Sequence, residues 1–346
     1  MKATNIALVI LNYNGKAHLQ KYLPSIVTHS KGCDIIIADN CSSDDSISFL
    51  QSSYPTLRII INDANYGFAQ GYNQALAQLK GQYEYFLLVN SDIEVTENWI
   101  SPLLNLMNAN PNIAAVQPKI LSDQRRDYFE HAGASGGLLD SDFFPFCRGR
   151  IFNKVERDSG QYDNSKEIFW ASGACFMIRS ESFFEMHGFD GDFFAHMEEI
   201  DLCWRLKRAG KQVWVVPSSK VFHLGGGTLN YLSPKKTYLN FRNSLFMIHK
   251  NYDGKLFLKI ISRMLLDGLA ATKFLVTFQL NHFLAVLKAH LSYYQSIRNL
   301  NNKRKALQIQ LNERRFNDIG LYRGSILFHY FIKDDKKYCF LDKKQL

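Results

Sequence analysis

The chain of 346 residues lacks several sequence motifs that identify common classes of protein. It contains no Cys-x-x-Cys pair, which argues against a zinc ribbon or a thioredoxin-type site. The scatter of its six cysteines is typical of reduced thiols in a cytosolic protein. No apolar run reaches about 18 residues, so we expect no membrane-spanning helix. The run Ile6–Leu11 is too short for the core of a signal peptide and is interpreted as a buried first strand.

Two nucleotide-binding fingerprints are absent as well. No Gly-x-Gly-x-x-Gly motif follows the first apolar run, and the P-loop motif Gly-x-x-x-x-Gly-Lys-Ser/Thr occurs nowhere. The sequence therefore disfavours both a dinucleotide-dependent dehydrogenase and a P-loop enzyme.

The residues that are present predict a globular protein with an uneven charge distribution. Hydrophobic residues make up 46% and charged residues 21%, and the length favours about two domains. Residues 1–234 contain 20 Lys/Arg and 25 Asp/Glu, a net charge of −5, whereas residues 235–346 contain 21 and 7, a net charge of +14. We therefore predict a domain boundary at residues 234–235. The basic region indicates an anionic partner, either nucleic acid or a membrane surface, or only a solvated basic face.

The first 120 residues alternate short apolar runs with segments of helical periodicity. The apolar runs are Ile6–Leu11, Asp34–Ala38, Leu57–Ile61, Tyr85–Val89 and Ile113–Val116. The helical segments are Lys16–Thr28, Ser43–Leu50 with Ser42 or Ser43 as its N-cap, and Gly71–Leu79. Continuous apolar strands separated by helices predict an α/β fold, with a mostly parallel central sheet and helices on both faces.

The rest of the chain is less regular and then mostly helical. Residues 122–166 show no clear period, and a loop of this length is usually functional. The following elements are predicted after it: strand Phe169–Ile178, helices Ser180–Met186 and Glu198–Ala209, strand Val213–Val216, a helix from Tyr238–His249 onward, and a long apolar helix Leu256–Tyr294.

Polar residues follow each of the first four apolar runs. These residues are Asn12-Tyr13-Asn14, Asp39-Asn40, Asn65 and Asn90-Ser91-Asp92. Because ligands bind at the carboxyl ends of the strands in an open parallel sheet, this edge is the predicted ligand site.

A second group of polar residues lies downstream. Trp170–Ala174 is placed on a predicted strand, and Glu198, Glu199 and Asp201 begin a predicted helix. Carboxylates at the start of a helix can serve only to stabilise it through the helix dipole, or they can be positioned for acid–base chemistry. His223 precedes Gly225-Gly226-Gly227-Thr228, where the backbone can approach a ligand closely.

Taken in this order, the motifs resemble a family 2 glycosyltransferase with the GT-A nucleotide-diphospho-sugar transferase fold, in the rhamnosyltransferase-like branch of bacterial polysaccharide synthesis. The similar stretches are Ala7–Asn14, Ile36–Asp45, Asn65–Asn73, Leu87–Asp92, Trp170–Ile178, Gly188–Arg205 and Val221–Gly227. The sequence departs from the family pattern twice. Asn90-Ser91-Asp92 keeps one carboxylate of the family's Asp-x-Asp motif, and Glu198-Glu199 replaces a Glu-Asp pair.

The resemblance implies a role for each matching position. Donor binding is implied for Asn12, Tyr13, Asp39, Asn65, Asn73 and Asp92. Acceptor binding is expected of Trp170 and Gly173. Asp92 and His223 would hold a divalent metal, either magnesium or manganese. The catalytic base would be Glu199, with Glu198 or Asp201 as alternatives.

The implied reaction is inverting, metal-dependent transfer of a hexosyl or deoxyhexosyl group in cell-surface polysaccharide synthesis. The donor is expected to be a nucleotide sugar and the acceptor a saccharide or a lipid-linked saccharide. Two other classes are alternatives to this one: a nucleotidyltransferase, and a nucleic-acid-binding protein using the basic region. The nucleic-acid class is disfavoured, because long apolar helices are unlike a solvated nucleic-acid surface.

Residues 256–346 are predicted to form apolar helices interrupted by charged residues, as at Lys259 and Lys273. Such helices can lie in a membrane interface, and the cluster Lys303-Arg304-Lys305 would add attraction to anionic lipids. We therefore expect a cytoplasmic protein, peripheral on the inner face of the cell membrane. The alternatives are a soluble helical domain that packs on the catalytic domain, or a dimer interface.

Overall fold

A computed structural model describes residues 5–225, 233–311 and 316–341 of the chain. The strands in these residues are β1 Ile6–Asn12, β2 Asp34–Asp39, β3 Arg58–Ile61, β4 Tyr85–Asn90, β5 Ile93–Val95, β6 Ile113–Ser122, β7 Gly137–Leu139, β8 Pro145–Cys147, β9 Arg150–Ile151, β10 Lys154–Val155, β11 Lys166–Ile168, β12 Cys175–Arg179 and β13 Gln212–His223. The α-helices are α1 Lys16–His29, α2 Ser46–Ser53, α3 Gly67–Ala77, α4 Ile100–Ala109, α5 Ser180–Glu185, α6 Glu198–Arg208, α7 Pro234–Asn251, α8 Leu256–Val276, α9 Leu280–Gln310 and α10 Ile326–Phe331.

The main sheet is mixed but mostly parallel. Its strand order is β11-β13-β6-β12-β4-β1-β2-β3, with β5 paired to β13. Strands β3, β2, β1 and β4 run parallel, β12 runs antiparallel between β4 and β6, and β13 runs parallel to β6. The predicted α/β class is confirmed.

The sheet separates two hydrophobic cores. On β1, Ala7 and Val9 belong to one core and Leu8 and Ile10 to the other. Successive side chains of a strand point to opposite faces, so a strand buried on both faces is apolar throughout. This is the physical reason that Ile6–Leu11 is a continuous apolar run.

Two predicted helix starts are wrong. Helix α2 begins at Ser46 and not at Ser43, and neither Ser42 nor Ser43 caps it. Ser42 Oγ donates instead to Asp39 Oδ2 (2.7 Å), and Ser43 N donates to Asn14 Oδ1 (2.7 Å). These serines tie strand ends together. Helix α3 begins at Gly67, four residues before the predicted start.

The predicted strand Phe169–Ile178 is also wrong, because β11 ends at Ile168 and β12 begins only at Cys175. In the intervening turn, Ser172 N donates to Gln117 Oε1 (2.9 Å) and Ser172 Oγ donates to Ala132 O (2.5 Å). Trp170 pairs with Gly137 in an isolated bridge. These bonds to distant residues redirect the chain and interrupt the strand.

The segment 122–166 is more ordered than its sequence indicates. It contains all four strands of a small antiparallel sheet of order β10-β9-β8-β7. Strands of two or three residues carry too few positions for an alternation to be recognised in the sequence.

The predicted helix Leu256–Tyr294 is divided into α8 and α9. Gln279 N donates to Phe274 O (2.8 Å) and Phe278 N to Leu275 O (3.1 Å), which is the hydrogen-bond pattern of a Schellman motif. Phe278 occupies its left-handed position with φ of 57°, where glycine is usual. We refer to α8, this turn and α9 as the helical hairpin.

The C-terminal helices pack on the sheet domain and share ion pairs with it. Lys250 Nζ lies 2.6 Å from Asp190 Oδ2 and 2.9 Å from Asp201, and Lys303 Nζ lies 2.6 Å from both Asp190 and Asp192. Arg304 donates to His249 O (2.9 Å). Lys303 and Arg304 are therefore engaged within the protein, and the proposed lipid contact of the cluster Lys303-Arg304-Lys305 does not fit this packing. The predicted boundary at residues 234–235 falls at the start of α7 and stays a prediction.

The helical hairpin leaves many large apolar side chains exposed. We call the following set the apolar stripe: Phe257, Ile261, Leu265 and Leu269 of α8, Phe278 of the turn, and Leu280, Leu284, Leu287 and Leu291 of α9. Phe278 is 95% exposed. None of the helices within the described ranges combines the length and apolarity needed to cross a bilayer.

Candidate active site

A cavity of about 790 Å³ opens at the carboxyl ends of β1 and β4. Tyr13 and Asn14 line it after β1, and Ser91 and Asp92 line it after β4. The start of α6 and the first turns of α7 complete the wall. The cavity therefore lies where an open parallel sheet is expected to bind a ligand.

Asp92 and His223 meet at one end of this cavity. His223 Nε2 lies 3.2 Å from Asp92 Oδ1, and its Nδ1 lies 3.2 Å from Glu130 Oε2. Burial alone would lower the pKa of His223, but the two carboxylates outweigh burial and raise it to about 10. Burial raises the pKa of Asp92, and the charge of His223 more than reverses that shift, so the net pKa is lowered. The sequence prediction paired Asp92 with His223 and missed Glu130.

Glu198 and Glu199 also line the cavity, at the start of α6. Each has an Oε2 atom that is buried and has no hydrogen-bond partner within the described residues. Burial raises the pKa of Glu199 to about 7, although backbone N–H groups, among them that of Gly173, oppose the shift. Burial and the neighbouring Glu199 raise the pKa of Glu198. Either carboxyl group can therefore hold a proton at a higher pH than an exposed glutamate.

Asp201 is fully buried and is held by three other side chains. It accepts hydrogen bonds from Arg205 Nε (2.9 Å), Lys250 Nζ (2.9 Å) and Asn251 Nδ2 (2.8 Å). It is not among the residues that line the cavity in the described ranges. Its position fits an anchor between α6 and α7 better than the alternative catalytic role that the sequence left open.

Asn12 and Asp39 lie buried behind Tyr13. Asn12 Nδ2 donates to Asp39 Oδ2 (2.9 Å), and Ser42 N donates to Asp39 Oδ1 (2.8 Å). Tyr13 is 40% exposed and lines the cavity, whereas neither Asn12 nor Asp39 does so within the part of the chain that is described. The described geometry places Asn12 and Asp39 as supports of the loop that carries Tyr13.

The two asparagines expected near the donor are placed differently. Asn65 lines the cavity and accepts from Gly67 N (3.0 Å) at the start of α3. Asn73 donates to Phe189 O (2.7 Å) and accepts from Phe189 N (3.0 Å), so it clamps that backbone against α3. These two hydrogen bonds to the backbone of Phe189 occupy both polar atoms of the Asn73 side chain, which binding of the sugar donor would need.

Trp170 and Gly173, the expected acceptor residues, both line the cavity. Trp170 Nε1 donates to Leu138 O (2.9 Å), which fixes the ring. A Cβ atom at Gly173 would lie 3.6 Å from Glu199 Cβ and 3.2 Å from the Phe68 ring. The absence of a side chain at Gly173 therefore leaves room beside Glu199.

Comparison with protein families identifies the family to which the chain belongs. The model of the glycosyl transferase family 2 matches residues 7–186, which is more than half of the chain. The chain belongs to glycosyl transferase family 2.

Relatives of this glycosyltransferase confirm the resemblance to the rhamnosyltransferase-like branch. It is 25% identical to the N-acetylglucosaminyl-diphospho-decaprenol L-rhamnosyltransferase of Mycobacterium tuberculosis, over 63% of this chain and 75% of that protein. It is 24% identical to the rhamnosyltransferase WbbL of Escherichia coli, over 63% of this chain and 83% of that protein.

A solved structure agrees with the GT-A fold of the transferase. The structure of GalNAc-T7 with UDP, GalNAc and Mn²⁺ superposes with a TM-score of 0.55 at 18% identity, over 71% of this chain. The matched region spans 48% of that longer protein. At this level of identity the similarity concerns the fold alone.

The C-terminal region of the transferase contributes cavity residues that the sequence interpretation missed. Lys235 and Lys236 of α7 and Arg263 of α8 line the cavity, together with Arg150 of β9. From the sequence, the excess of basic residues after residue 234 indicates an anionic partner or a solvated basic face, and not a cavity wall. Lys235 and Lys236 follow Gly225–Thr228 closely in the sequence, and this closeness to a predicted ligand-contacting segment could have indicated them. Gly226, Gly227 and Thr228 themselves lie outside the described residues.

The side chains at Asp92 fit part of a metal site. A carboxylate oxygen suits magnesium or manganese, whereas an imidazole nitrogen is a more usual ligand of transition metals, so the pair fits manganese better than magnesium. Within the described ranges, no group of three or more His, Cys, Asp and Glu side chains could hold a metal ion alone. With so few protein ligands, the remaining positions around the ion would be filled by substrate phosphates and water.

Proposed function

We propose that this glycosyltransferase moves a hexosyl or deoxyhexosyl group, with inversion, from a nucleotide sugar to a lipid-linked saccharide in cell-surface polysaccharide synthesis. The observation that carries the proposal is that one cavity contains both the Asp92–His223 pair and the Glu198–Glu199 carboxylates. The first pair suits the diphosphate end of a donor, and the second suits the hydroxyl of an acceptor. The names of the relatives from M. tuberculosis and E. coli support rhamnose as the transferred sugar.

A divalent magnesium or manganese ion is part of the proposal, with Asp92 and His223 as its protein ligands. Because Asp92 and Glu130 raise the pKa of His223 to about 10, the ion would have to displace a proton from the imidazole on binding. When bound, the ion would stabilise the negative charge of the leaving diphosphate. Glu130 contacts the other ring nitrogen of His223 and orients the imidazole toward Asp92.

Glu199 is proposed as the base that removes the proton from the acceptor hydroxyl. Its carboxyl group has a pKa near 7, so both protonation states are available at neutral pH. Gly173 leaves room beside it. Inversion follows if the activated hydroxyl attacks the anomeric carbon from the side opposite the diphosphate.

The helical hairpin is proposed to lie on the inner face of the cell membrane. Its apolar stripe exposes leucine and phenylalanine side chains to water, which costs free energy unless a lipid surface covers them. Exposed Lys273 and Lys288 on the same two helices suit anionic headgroups. A lipid-linked acceptor would be met at this surface.

The proposal is tested by a donor screen with dTDP-, UDP- and GDP-sugars, with and without manganese. We expect one donor to raise the melting temperature and to be hydrolysed slowly only when the metal is present. Asp92→Ala should abolish both effects. Asp127→Ala removes an exposed carboxylate and serves as the matched control. The proposal fails if no donor stabilises the wild-type protein with either metal.

A further inference from the structure

Arg150 is a buried cation on the cavity wall without an acidic partner. Its residue is 7% exposed, and it lines the cavity from strand β9. Its guanidinium donates to Phe152 O (3.4 Å) and Cys147 Sγ (3.3 Å), and Nε has no partner within the described residues. The contact with Phe152 O is long for a hydrogen bond, and a thiol sulfur is only a weak acceptor.

A buried charge of this kind needs an explanation. An ionised side chain inside a protein destabilises the fold unless an opposite charge pairs with it. Buried Lys119, Lys207 and Lys250 have such partners in Asp158, Glu167 and Asp190. Within the described ranges, no carboxylate forms an ion pair with Arg150. The anion that neutralises its charge would therefore come from a bound molecule.

Two lysines strengthen the positive charge of the same cavity. Lys235 and Lys236 lie in the first turn of α7, where the helix dipole is positive and acidic residues are favoured. The first turn of α7 contains no acidic residue. Both lysines line the cavity, and burial lowers the pKa of Lys236. Placing cations at this helix end is unfavourable for α7 itself and favourable for an anionic ligand.

Two of the histidines that line the cavity, His131 and His196, add no positive charge of their own. Burial, and then the neighbouring Arg150, lower the pKa of His131 to about 3. Burial, and then Lys236, lower the pKa of His196 to about 4. Both imidazoles are therefore neutral at physiological pH. Among acidic residues, Glu130 lies close enough to Lys236 to raise the pKa of that lysine against the larger effect of burial, and its carboxylate contacts His223.

We propose that Arg150 binds a phosphate group of a substrate in this cavity, with Lys235 and Lys236 supplying additional positive charge. The planar guanidinium donates in parallel to two oxygens of a phosphate, and Nε is one of the donors used in such a fork. The inference rests on the proposed function for the source of the phosphate. That source is either the diphosphate of the donor or a diphosphate that joins the acceptor saccharide to its lipid.

Binding of inorganic pyrophosphate to the full chain, measured by calorimetry in EDTA, tests the proposal without the metal. We expect wild type to bind, Arg150→Met to lose about tenfold or more in affinity, and Arg150→Lys to fall between them. Arg157→Met removes an exposed arginine that follows β10 and should bind like wild type. Equal affinities of wild type and Arg150→Met, or no binding by wild type, would overturn the proposal.

Circular dichroism separates this role from a structural one. Because no ion pair is broken, Arg150→Met should melt no lower than wild type in the absence of pyrophosphate. If Arg150→Met does not fold, Arg150→Lys decides, since it keeps the charge and loses the fork. A folded Arg150→Lys protein with wild-type affinity would then contradict the proposal.

A second titration identifies the source of the phosphate. Pyrophosphate is added after saturation with UDP, dTDP or GDP, whichever raises the melting temperature. If the bound nucleotide prevents pyrophosphate from binding, Arg150 contacts the diphosphate of the donor. If both bind at the same time, Arg150 contacts the diphosphate of the acceptor. Pyrophosphate binding needs no sugar transfer, so a protein that binds through Arg150 but hydrolyses no donor would refute the proposed function and keep this site.

Discussion

Glu199 owes its chemistry to its surroundings as much as to its carboxyl group. It is partly buried in the cavity wall, and one carboxylate oxygen has no hydrogen-bond partner within the described residues. Burial disfavours its ionised form, which moves its pKa to about 7. A base with this pKa is strong enough to accept a proton and is still half ionised at neutral pH.

We expect Glu199→Gln to lower kcat by about 10²- to 10⁴-fold, because an amide cannot accept the hydroxyl proton. In wild type the active form is the ionised one, so kcat/KM should rise tenfold per pH unit below about 7 and level off above it. Steady-state kinetics across pH 5 to 9 measure both effects. Glu97→Gln, which changes an exposed residue, is the control. If Glu199→Gln keeps most of the turnover while Glu198→Gln loses it, Glu198 is the base.

The positions of individual candidate residues were predictable where they follow a strand or begin a helix. Tyr13, Asp92 and Glu199 all line the cavity, as expected, because their places depend on the local order of elements. Glu130 was missed, since its contact with His223 joins residues 93 positions apart. Asn73 was assigned to the donor because no local pattern shows that Phe189 binds both of its polar atoms.

At the scale of elements, the helical hairpin combines an unusual turn with an unusual surface. Phe278 holds the left-handed position of the Schellman motif, where a side chain other than glycine costs about 1 kcal/mol. The same side chain is 95% exposed, so it gains little from packing within the protein. Insertion into a lipid surface would offset both costs.

Phe278→Gly is therefore expected to leave the fold as stable as before or more so, because glycine relieves the positive φ. It should weaken binding to vesicles of phosphatidylcholine and phosphatidylglycerol by about threefold to tenfold. Full burial of a phenyl group contributes about 1.5 to 3 kcal/mol, and the expected loss is smaller because neighbouring apolar side chains would still insert into the lipid. Vesicle sedimentation and thermal melting measure the two effects. Ile309→Gly, which removes an exposed residue near the far end of α9, is the control for vesicle binding. Unchanged sedimentation of Phe278→Gly would argue that the turn does not touch lipid.

Elements were predictable where a continuous apolar run or a helical period marked them in the sequence. The four parallel strands β1 to β4 and helices α1 and α6 agree with their predicted ranges to within a few residues. The strand break after Ile168 depends on bonds from Ser172 to Gln117 and Ala132, which are remote in sequence. The hairpin turn was hidden because it uses Thr277-Phe278-Gln279 and contains neither glycine nor proline.

For the whole molecule, the opposite charges of residues 1–234 and 235–346 are partly used in packing. Asp190, Asp192 and Asp201 of the acidic part pair with Lys250 and Lys303 of the basic part. Burial raises the pKa of Asp190, and the two lysines more than reverse that effect. These ion pairs link the first turn of α6, which contains Glu199, to helices α7 and α9.

We expect Lys250→Met to lower the free energy of unfolding by about 3 kcal/mol, because it removes a buried cation from two buried carboxylates. Urea unfolding followed by tryptophan fluorescence measures the change. Lys31→Met, at an exposed position, should change stability by less than about 0.5 kcal/mol. If Lys250→Met unfolds at the wild-type urea concentration, the ion pairs do not couple the C-terminal helices to the sheet domain.

Helix α8 takes part in two surfaces at once. Arg263 of this helix lines the cavity, while Leu265 and Leu269 belong to the apolar stripe. A helix with its side chains is about 10 to 12 Å across, so α8 alone separates the part of the cavity lined by Arg263 from whatever covers the stripe. If a bilayer covers it, an acceptor need lift only its saccharide and phosphate out of the headgroup layer while its lipid tail stays in place. Acceptor and product would then arrive and leave by diffusion in two dimensions.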